Sequence, residues 1–429
     1  MMSLILTVGF IGLMFLRVPV SMAIGLSTIP PLLLLDRNLI IIPQFMLEGM
    51  NNAPLLAVPF FLLAGNLFNV LGLSRRIWDF ALSVVGHIRG GLGHVMVISN
   101  MVFAGISGSA LADAVALGTI GIPAMERAGH RRSYATALAL CTSVIGPMIP
   151  PSINLVIYGV TAGESIGRLF LAGVVPGIVI GIAMMATVYF LAVTGRESVP
   201  VLARMPVTVM ARRFAISSPA LAVPAIVFVG MGLGLITPTE VGIACIVYAL
   251  ILGLAYREAS PGTVYASLVD SARSTITIMF IIAVSTVAGW IYTYDGVAQS
   301  LANLMLSITD NKLVILLLIN LFLLVMGCIL EPIPVLILTT PIFLPVIKLL
   351  GVDPVHFGII VNLNITIGII TPPMGIGLYV MMGIVDIKFE DLVRACIPFM
   401  VPLIGCLLLF TYVPEISLWL PDLIMGPQR

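Results

Sequence analysis

TSVIGPMIPPSINLVIY, residues 142–158, decides the fold. The run is apolar enough for a hydrocarbon core, yet Gly146, Pro147, Pro150 and Pro151 interrupt it. Proline lacks the amide hydrogen and blocks the i→i−4 bond, so a regular helix cannot pass through this stretch. Irregular backbone survives at membrane depth only where it is buried in protein or lines a wet cavity. The same pattern returns in TIGIITPPMGIGLY, residues 366–379. Both stretches predict helices that run, unwind for a few residues and resume.

The surrounding chain identifies the solvent. Its 429 residues are 60% hydrophobic and only 9% charged, against about 25% charged in soluble domains. Apolar stretches of about 20 residues recur from end to end, each long enough to cross a bilayer. An all-α polytopic membrane protein is expected; the strands of a β-barrel would show short alternating segments instead. The net charge of +1, without a basic tract or acidic tail, gives no sign of a nucleic-acid partner. The five cysteines are dispersed in apolar surroundings without a CxxC pair, so neither a disulfide framework nor a zinc site is expected. The first apolar stretch starts at Met1 with no basic region before it and reads as a retained helix rather than a signal peptide.

Two more apolar runs are interrupted. GISGSALAD, residues 105–113, lies inside the run 92–125, and Gly327, Glu331, Pro332 and Pro334 lie inside 313–350. Each reads as two half-depth helices joined at a turn, a re-entrant hairpin. The broken helices then occupy about 133–159 and 355–382. A polar linker, Gly195 to Arg213, divides the chain into a first half, 1–213, and a second half, 214–429. Each half is expected to hold scaffold helices, one hairpin and one discontinuous helix.

Sliding the first half by 222 residues pairs Gly105 with Gly327, Pro123 with Pro345, Gly129 with Gly351, Gly146 with Gly368, Pro150 with Pro372 and Pro151 with Pro373. Six coincident breakers read as an internal duplication, although the outer spans do not align. The loop after the first hairpin, ERAGHRR (126–132), is basic; its counterpart, 348–354, holds one lysine and one aspartate. Short Lys/Arg-rich loops stay cytoplasmic. The copies are therefore expected to point opposite ways, as inverted-topology repeats whose interrupted segments mark the binding site.

An unwound helix exposes carbonyls that suit a cation and a half-helix N-terminus that suits an anion. Hard cations take oxygen ligands. The candidate sodium ligands are Ser107, Gly108, Ser109, Thr142, Gly146, Pro147, Pro150, Gly327, Thr366, Gly368 and Thr371, through hydroxyls or backbone carbonyls. The candidate substrate contacts are Ser109, Asp113, Pro151, Ser152, Asn154, Glu331, Asn364, Pro372 and Pro373. Ser143, Thr339 and Asn362 add oxygens nearby. Hydroxyls and amides also glue membrane helices together, and this competes with a ligand role at each single position. Asp113 and Glu331 stand out, because a carboxylate in an apolar span is a functional-site hypothesis; a water-exposed mouth position or a protonated structural donor is the structural alternative. Asp295 and Glu240 rank lower. Arg273 is the nearest cation to offer a carboxylate clamp, and its place in the sequence fits a span end. An intramembrane protease would need Ser107 or Ser109 to meet His94. No Walker motif is present.

The set PFFLLAGNLF (59–68), GISGSALAD, GIPAM (121–125), GPMIPPS (146–152), TPTE (237–240) and GIITPPMG (368–375) resembles the large membrane subunit of a tripartite ATP-independent periplasmic (TRAP) transporter. The resemblance covers essentially the whole chain. It implies a bacterial inner-membrane secondary importer of the ion-transporter superfamily, driven by sodium and working as an elevator. It also implies hairpins near 102–123 and 326–345 that hold sodium and substrate with the breaks near Pro150 and Pro372. The implied partners are a small four-helix membrane subunit and a periplasmic substrate-binding protein. The sequence leaves no room for the small subunit ahead of the first span, so a separate polypeptide is expected. The implied substrates are organic acids: C4-dicarboxylates, sialic acid or other sugar acids. A sodium-coupled carboxylate transporter that works alone is the alternative.

Overall fold

The computed structural model describes residues 1–197, 201–232, 236–309 and 311–427. Residues 198–200, within the polar linker, and 233–235, within the span expected at 216–236, lie outside the described residues. Among the described residues the ordered elements are helical, with no strand, as a backbone without access to water requires. Eight helices there are long and apolar enough to cross a bilayer. Large apolar side chains such as Leu254, Ile276, Leu321 and Val401 face outward. Asn100, Asp113, Asn320, Asn362 and Asn364 are buried instead. That distribution suits a lipid surround.

The first hairpin is Gly91–Ser107 followed by Ala110–Arg127, and the first broken helix is Arg132–Thr142 followed by Ile153–Ala162. Ile166–Val193 then crosses. The second set is Lys312–Ile329 with Pro332–Leu349, then Pro354–Gly368 with Ile376–Ile384, then Phe389–Tyr412. A shift of 222 positions carries Ala110–Arg127 onto Pro332–Leu349 and Arg132 onto Pro354. Gly129 and Gly351, paired by that shift, both have positive φ (+97° and +63°), the conformation in which glycine escapes a Cβ clash. The duplication extends further outward than the sequence shows. Leu73–Val85, shifted, falls within two residues of Val297–Ile308. Both are amphipathic helices that precede a hairpin, and their side chains differ too much for breaker matching to find them.

The two sets are interleaved. Ile153–Ala162 packs against Pro332–Leu349 of the other hairpin, and Ile376–Ile384 packs against Ala110–Arg127. Arg132–Thr142 packs on Phe389–Tyr412, and Pro354–Gly368 on Ile166–Val193. The span expected to begin near Ser274 belongs to a helix running from Pro261 to Tyr294. Arg273 lies within that helix, with 21 residues after it, about the length of one bilayer crossing, as a place at a span end requires. TPTE is a helix start: Thr237 Oγ1 accepts from the Glu240 amide, and Glu240 Oε2 accepts from the Thr237 amide at 2.7 Å. Such a capping box satisfies two orphan donors, which gives Glu240 a structural role.

Candidate functional site

The first hairpin turns at Gly108, in the left-handed region at φ +64°. A Cβ there would strike the Pro151 carbonyl, so the hairpin tip rests directly on the first break. Just behind the tip, Ser107 Oγ donates to Asp113 Oδ1. Asp113 is fully buried, and its Oδ2 has no hydrogen-bond partner. That oxygen occupies the place a Cβ on Gly146 would take. A buried carboxylate oxygen with no donor, set against an unwound backbone, is costly unless a cation or proton completes it.

The second hairpin meets its own break as closely. A Cβ on Gly368 would overlap the backbone of Gly327. Gly375 N donates to the Cys328 carbonyl at 3.2 Å. Residues 146–152 and 369–375 carry no α-helix, and the Pro150–Pro151 and Pro372–Pro373 bonds are cis.

Buried amides tie the breaks to each other. Asn362 Nδ2 donates to the Pro147 carbonyl at 2.6 Å, and Asn154 Nδ2 donates to Asn362 Oδ1 at 3.0 Å. Asn100 Nδ2 donates to Thr142 Oγ1 at 2.7 Å, and Asn364 Nδ2 to Asn320 Oδ1 at 2.8 Å. The Oδ1 atoms of Asn100 and Asn364 have no partner. Thr366 and Thr371 donate to carbonyls one turn back. Ser152 Oγ accepts from the Leu155 amide and caps the resuming helix.

The two hairpin tips converge on a cavity of about 340 Å³. Gly108, Ser109, Pro147, Asn154 and Glu331 line it, all singled out from the sequence. Its far wall is the helix Pro261–Tyr294, which contributes Ser274 and Thr277. Sequence reasoning missed these two; hydroxyls spaced through RSTITI, residues 273–278, were the available signal. The other candidates lie elsewhere. Ser107, Asp113 and Gly146 form the seam behind the first tip, and Gly327 and Gly368 the seam of the second. Asn364 and Thr366 are buried in the amide network. Pro150 faces Ile166–Val193. Pro373, next to Pro372, lines a separate apolar cleft of about 750 Å³ together with Thr339. His94 is thirteen residues before Ser107 on one helix, about 20 Å along its axis, and it bonds the Arg89 carbonyl. No Ser–His pair forms there.

A larger cleft, about 800 Å³, lies at the ends of the helices around Arg131, Glu197 and Arg394, away from both breaks. Glu197 accepts from His130 Nδ1 and from Arg131 Nε and NH2. Burial alone would raise its carboxyl, but these hydrogen bonds outweigh burial and hold it below the ordinary value.

The profile of the family described as Tripartite ATP-independent periplasmic transporter, DctM component, matches residues 7–416. The sialic acid TRAP transporter large permease protein SiaM of Vibrio cholerae is 41% identical over 421 residues, spanning 97% of this chain and 98% of that one. The C4-dicarboxylate TRAP transporter large permease protein DctM of the same organism is 34% identical over 444 residues, covering 97% of each. Among solved structures, the Alcanivorax borkumensis YdaH transporter superposes with a TM-score of 0.65 at 14% identity over 89% of both chains, which shows a shared fold. Family and relatives are permeases, not enzymes. The chain therefore belongs to the DctM component family of tripartite ATP-independent periplasmic transporters, as a large permease subunit that crosses the bacterial inner membrane many times.

Proposed function

We propose that this permease imports an organic acid on a sodium gradient by an elevator movement. One observation carries the reading: a single cavity is closed by both hairpin tips and the first break on one side and by a helix outside the duplicated sets on the other. The interleaved elements, residues 91–193 and 312–412, act as one moving body. The helix Pro261–Tyr294 belongs to the scaffold it slides past. Residues 1–213 and 214–429 are the two halves of the duplication, inverted in the membrane as the basic loop at 126–132 argues.

Sodium binds at the seams behind the tips, where Asp113 Oδ2 has no donor and lies against the unwound backbone at Gly146. The second seam, at Gly327, Gly368 and Thr371, is its counterpart. Bound cations offset the charge of the substrate, so the loaded body crosses the low-dielectric barrier more readily than a half-loaded one. Net positive charge moving inward gains about 2.3 kcal/mol per charge per 100 mV. A separate small membrane subunit and a periplasmic binding protein complete the assembly, the latter delivering the substrate.

The test is uptake into proteoliposomes that hold the chain with its small membrane subunit, assayed with the binding protein outside. Uptake should require an inward sodium gradient and should need higher sodium in Asp113→Asn and Thr371→Val proteins that still insert. Uptake indifferent to sodium in the unaltered protein would refute the coupling. Full uptake without the binding protein and small subunit would favour a permease acting alone.

A further inference from the structure

The cleft of about 800 Å³ at the helix ends takes no part in the transport reading, since it lies away from both breaks. Five cations line it against three carboxylates, a surplus of two positive charges. Two of the cations are already engaged. Arg131 pairs with Glu197, and Arg132 pairs with Glu126 and donates to the Asp386 carbonyl. Arg196, Lys388 and Arg394 are exposed, and their side chains form no ion pair or hydrogen bond among the described residues. Against these three stands Asp391, in the first turn of Phe389–Tyr412. The helix Arg132–Thr142 begins at the cleft with no side-chain cap and no acid in its first turn, and its start adds partial positive charge. The rest of the lining is of another kind: Tyr134, Leu191 and Phe399 also border the cleft and are buried. The cleft is therefore apolar at depth and cationic at its mouth.

We infer that this cleft binds an anionic phospholipid of the cytoplasmic leaflet, of the cardiolipin type with two phosphates. The basic loop at 126–132 puts the cleft on the cytoplasmic side, where basic pockets between membrane helices take anionic headgroups. Two phosphates match the surplus of two charges. Arg196, Lys388 and Arg394 engage them, the arginines through paired N–H donors that suit a phosphate. An acyl chain covers Tyr134, Leu191 and Phe399, removing their apolar surface from water. A soluble phosphate ester would use the mouth alone and leave that apolar depth wet. A zwitterionic phospholipid brings no net charge to the surplus. Arg196 follows the helix Ile166–Val193, and Arg394 lies on Phe389–Tyr412. The headgroup thus clamps the end of one crossing helix to the start of another.

The experiment takes the full chain, delipidated in a neutral detergent, and counts bound molecules by native mass spectrometry. Cardiolipin, phosphatidylglycerol, phosphatidylcholine and glycerol phosphate are titrated at one ionic strength, because exposed charges are screened by salt. Cardiolipin should bind at about tenfold lower concentration than phosphatidylglycerol, with phosphatidylcholine weaker still. Arg196→Gln, Lys388→Gln and Arg394→Gln should each weaken cardiolipin about fivefold, and the three together about 100-fold. A chain with Arg37→Gln, Arg89→Gln and Arg257→Gln loses the same charge from exposed positions outside the cleft and should bind as the unaltered protein does. The single variants keep the test decisive if the triple one does not fold. Equal weakening in the two triple variants would mean attraction to the whole surface and would overturn the site. Undiminished binding in the cleft variants overturns it too, as does phosphatidylcholine on a par with cardiolipin. Phosphatidylglycerol binding as tightly as cardiolipin overturns the assignment of two phosphates. Glycerol phosphate binding as tightly would give the mouth to a soluble phosphate ester and overturn the lipid.

Discussion

Asn362 donates to the Pro147 carbonyl at 2.6 Å, joining the second broken helix to the unwound centre of the first across 215 residues of chain. The same side chain accepts from Asn154 at 3.0 Å, so one buried amide serves both repeats. Replacing it strands two polar groups away from water. Asn362→Leu should lower stability by about 2 kcal/mol, the usual consequence of an unmet buried bond, measured as a fall in Tm by tryptophan fluorescence. Asn154→Leu removes one bond only and should cost less.

The Gly327–Gly368 contact leaves no space for a methyl group. Overpacking of this kind costs about 1–3 kcal/mol. Gly368→Ala and Gly327→Ala are expected to unseat the second hairpin, with lower Tm and suppressed uptake. Gly405→Ala, in a helix where an added Cβ meets nothing within 4 Å, should leave both unchanged. Equal behaviour of the three variants would refute the seam.

Asp113 carries an oxygen without a partner beside Gly146. If a cation completes it, Asp113→Asn should raise the sodium concentration for half-maximal uptake by about tenfold or more. Protein abundance in the membrane should be preserved, because the Ser107 bond can still form. A sodium titration of uptake, with quantitative blotting, decides the matter.

Glu197 connects the start of Arg132–Thr142 to the end of Ile166–Val193 through His130 and Arg131. Its folded carboxyl lies below the ordinary value. A depressed carboxyl contributes stability that is fully present above the unfolded value of about 4.3. That contribution is lost as pH falls through the folded value. Thermal stability of the unaltered protein should therefore be flat in this respect from neutrality to about pH 5 and decline below it. Glu197→Gln should show lower stability at neutral pH and a shallower acid decline.

Much of this was legible in the sequence, and for a physical reason. Helix breakers in an apolar run are so expensive that Gly146, Pro150, Gly368 and Pro372 report buried irregular backbone by themselves. The duplication showed through the same residues, because only backbone-constrained positions resist drift. What the sequence hid were relationships between distant surfaces. Asp113 and Glu331 look alike as carboxylates in apolar runs, yet one is sealed behind a hairpin and the other faces the cavity. Ser274 and Thr277 looked like ordinary span residues, and their hydroxyls do donate to carbonyls one turn back in their own helix; only the packing of distant elements places them beside the cavity. Arg273 reads as a boundary marker because charge usually ends a span, and the 21 residues of helix after it, to Tyr294, are about the length of one crossing.

The crossed packing of each resumed helix on the opposite hairpin also governs how the chain is assembled. A ribosome delivers the first half with Ile153–Ala162 still lacking its neighbour, and that face stays unmatched until Pro332–Leu349 emerges. Neither half is a self-sufficient unit, so a nick in the linker after Val193 should yield two pieces that persist in the cell only when made together, each acting as the other's chaperone.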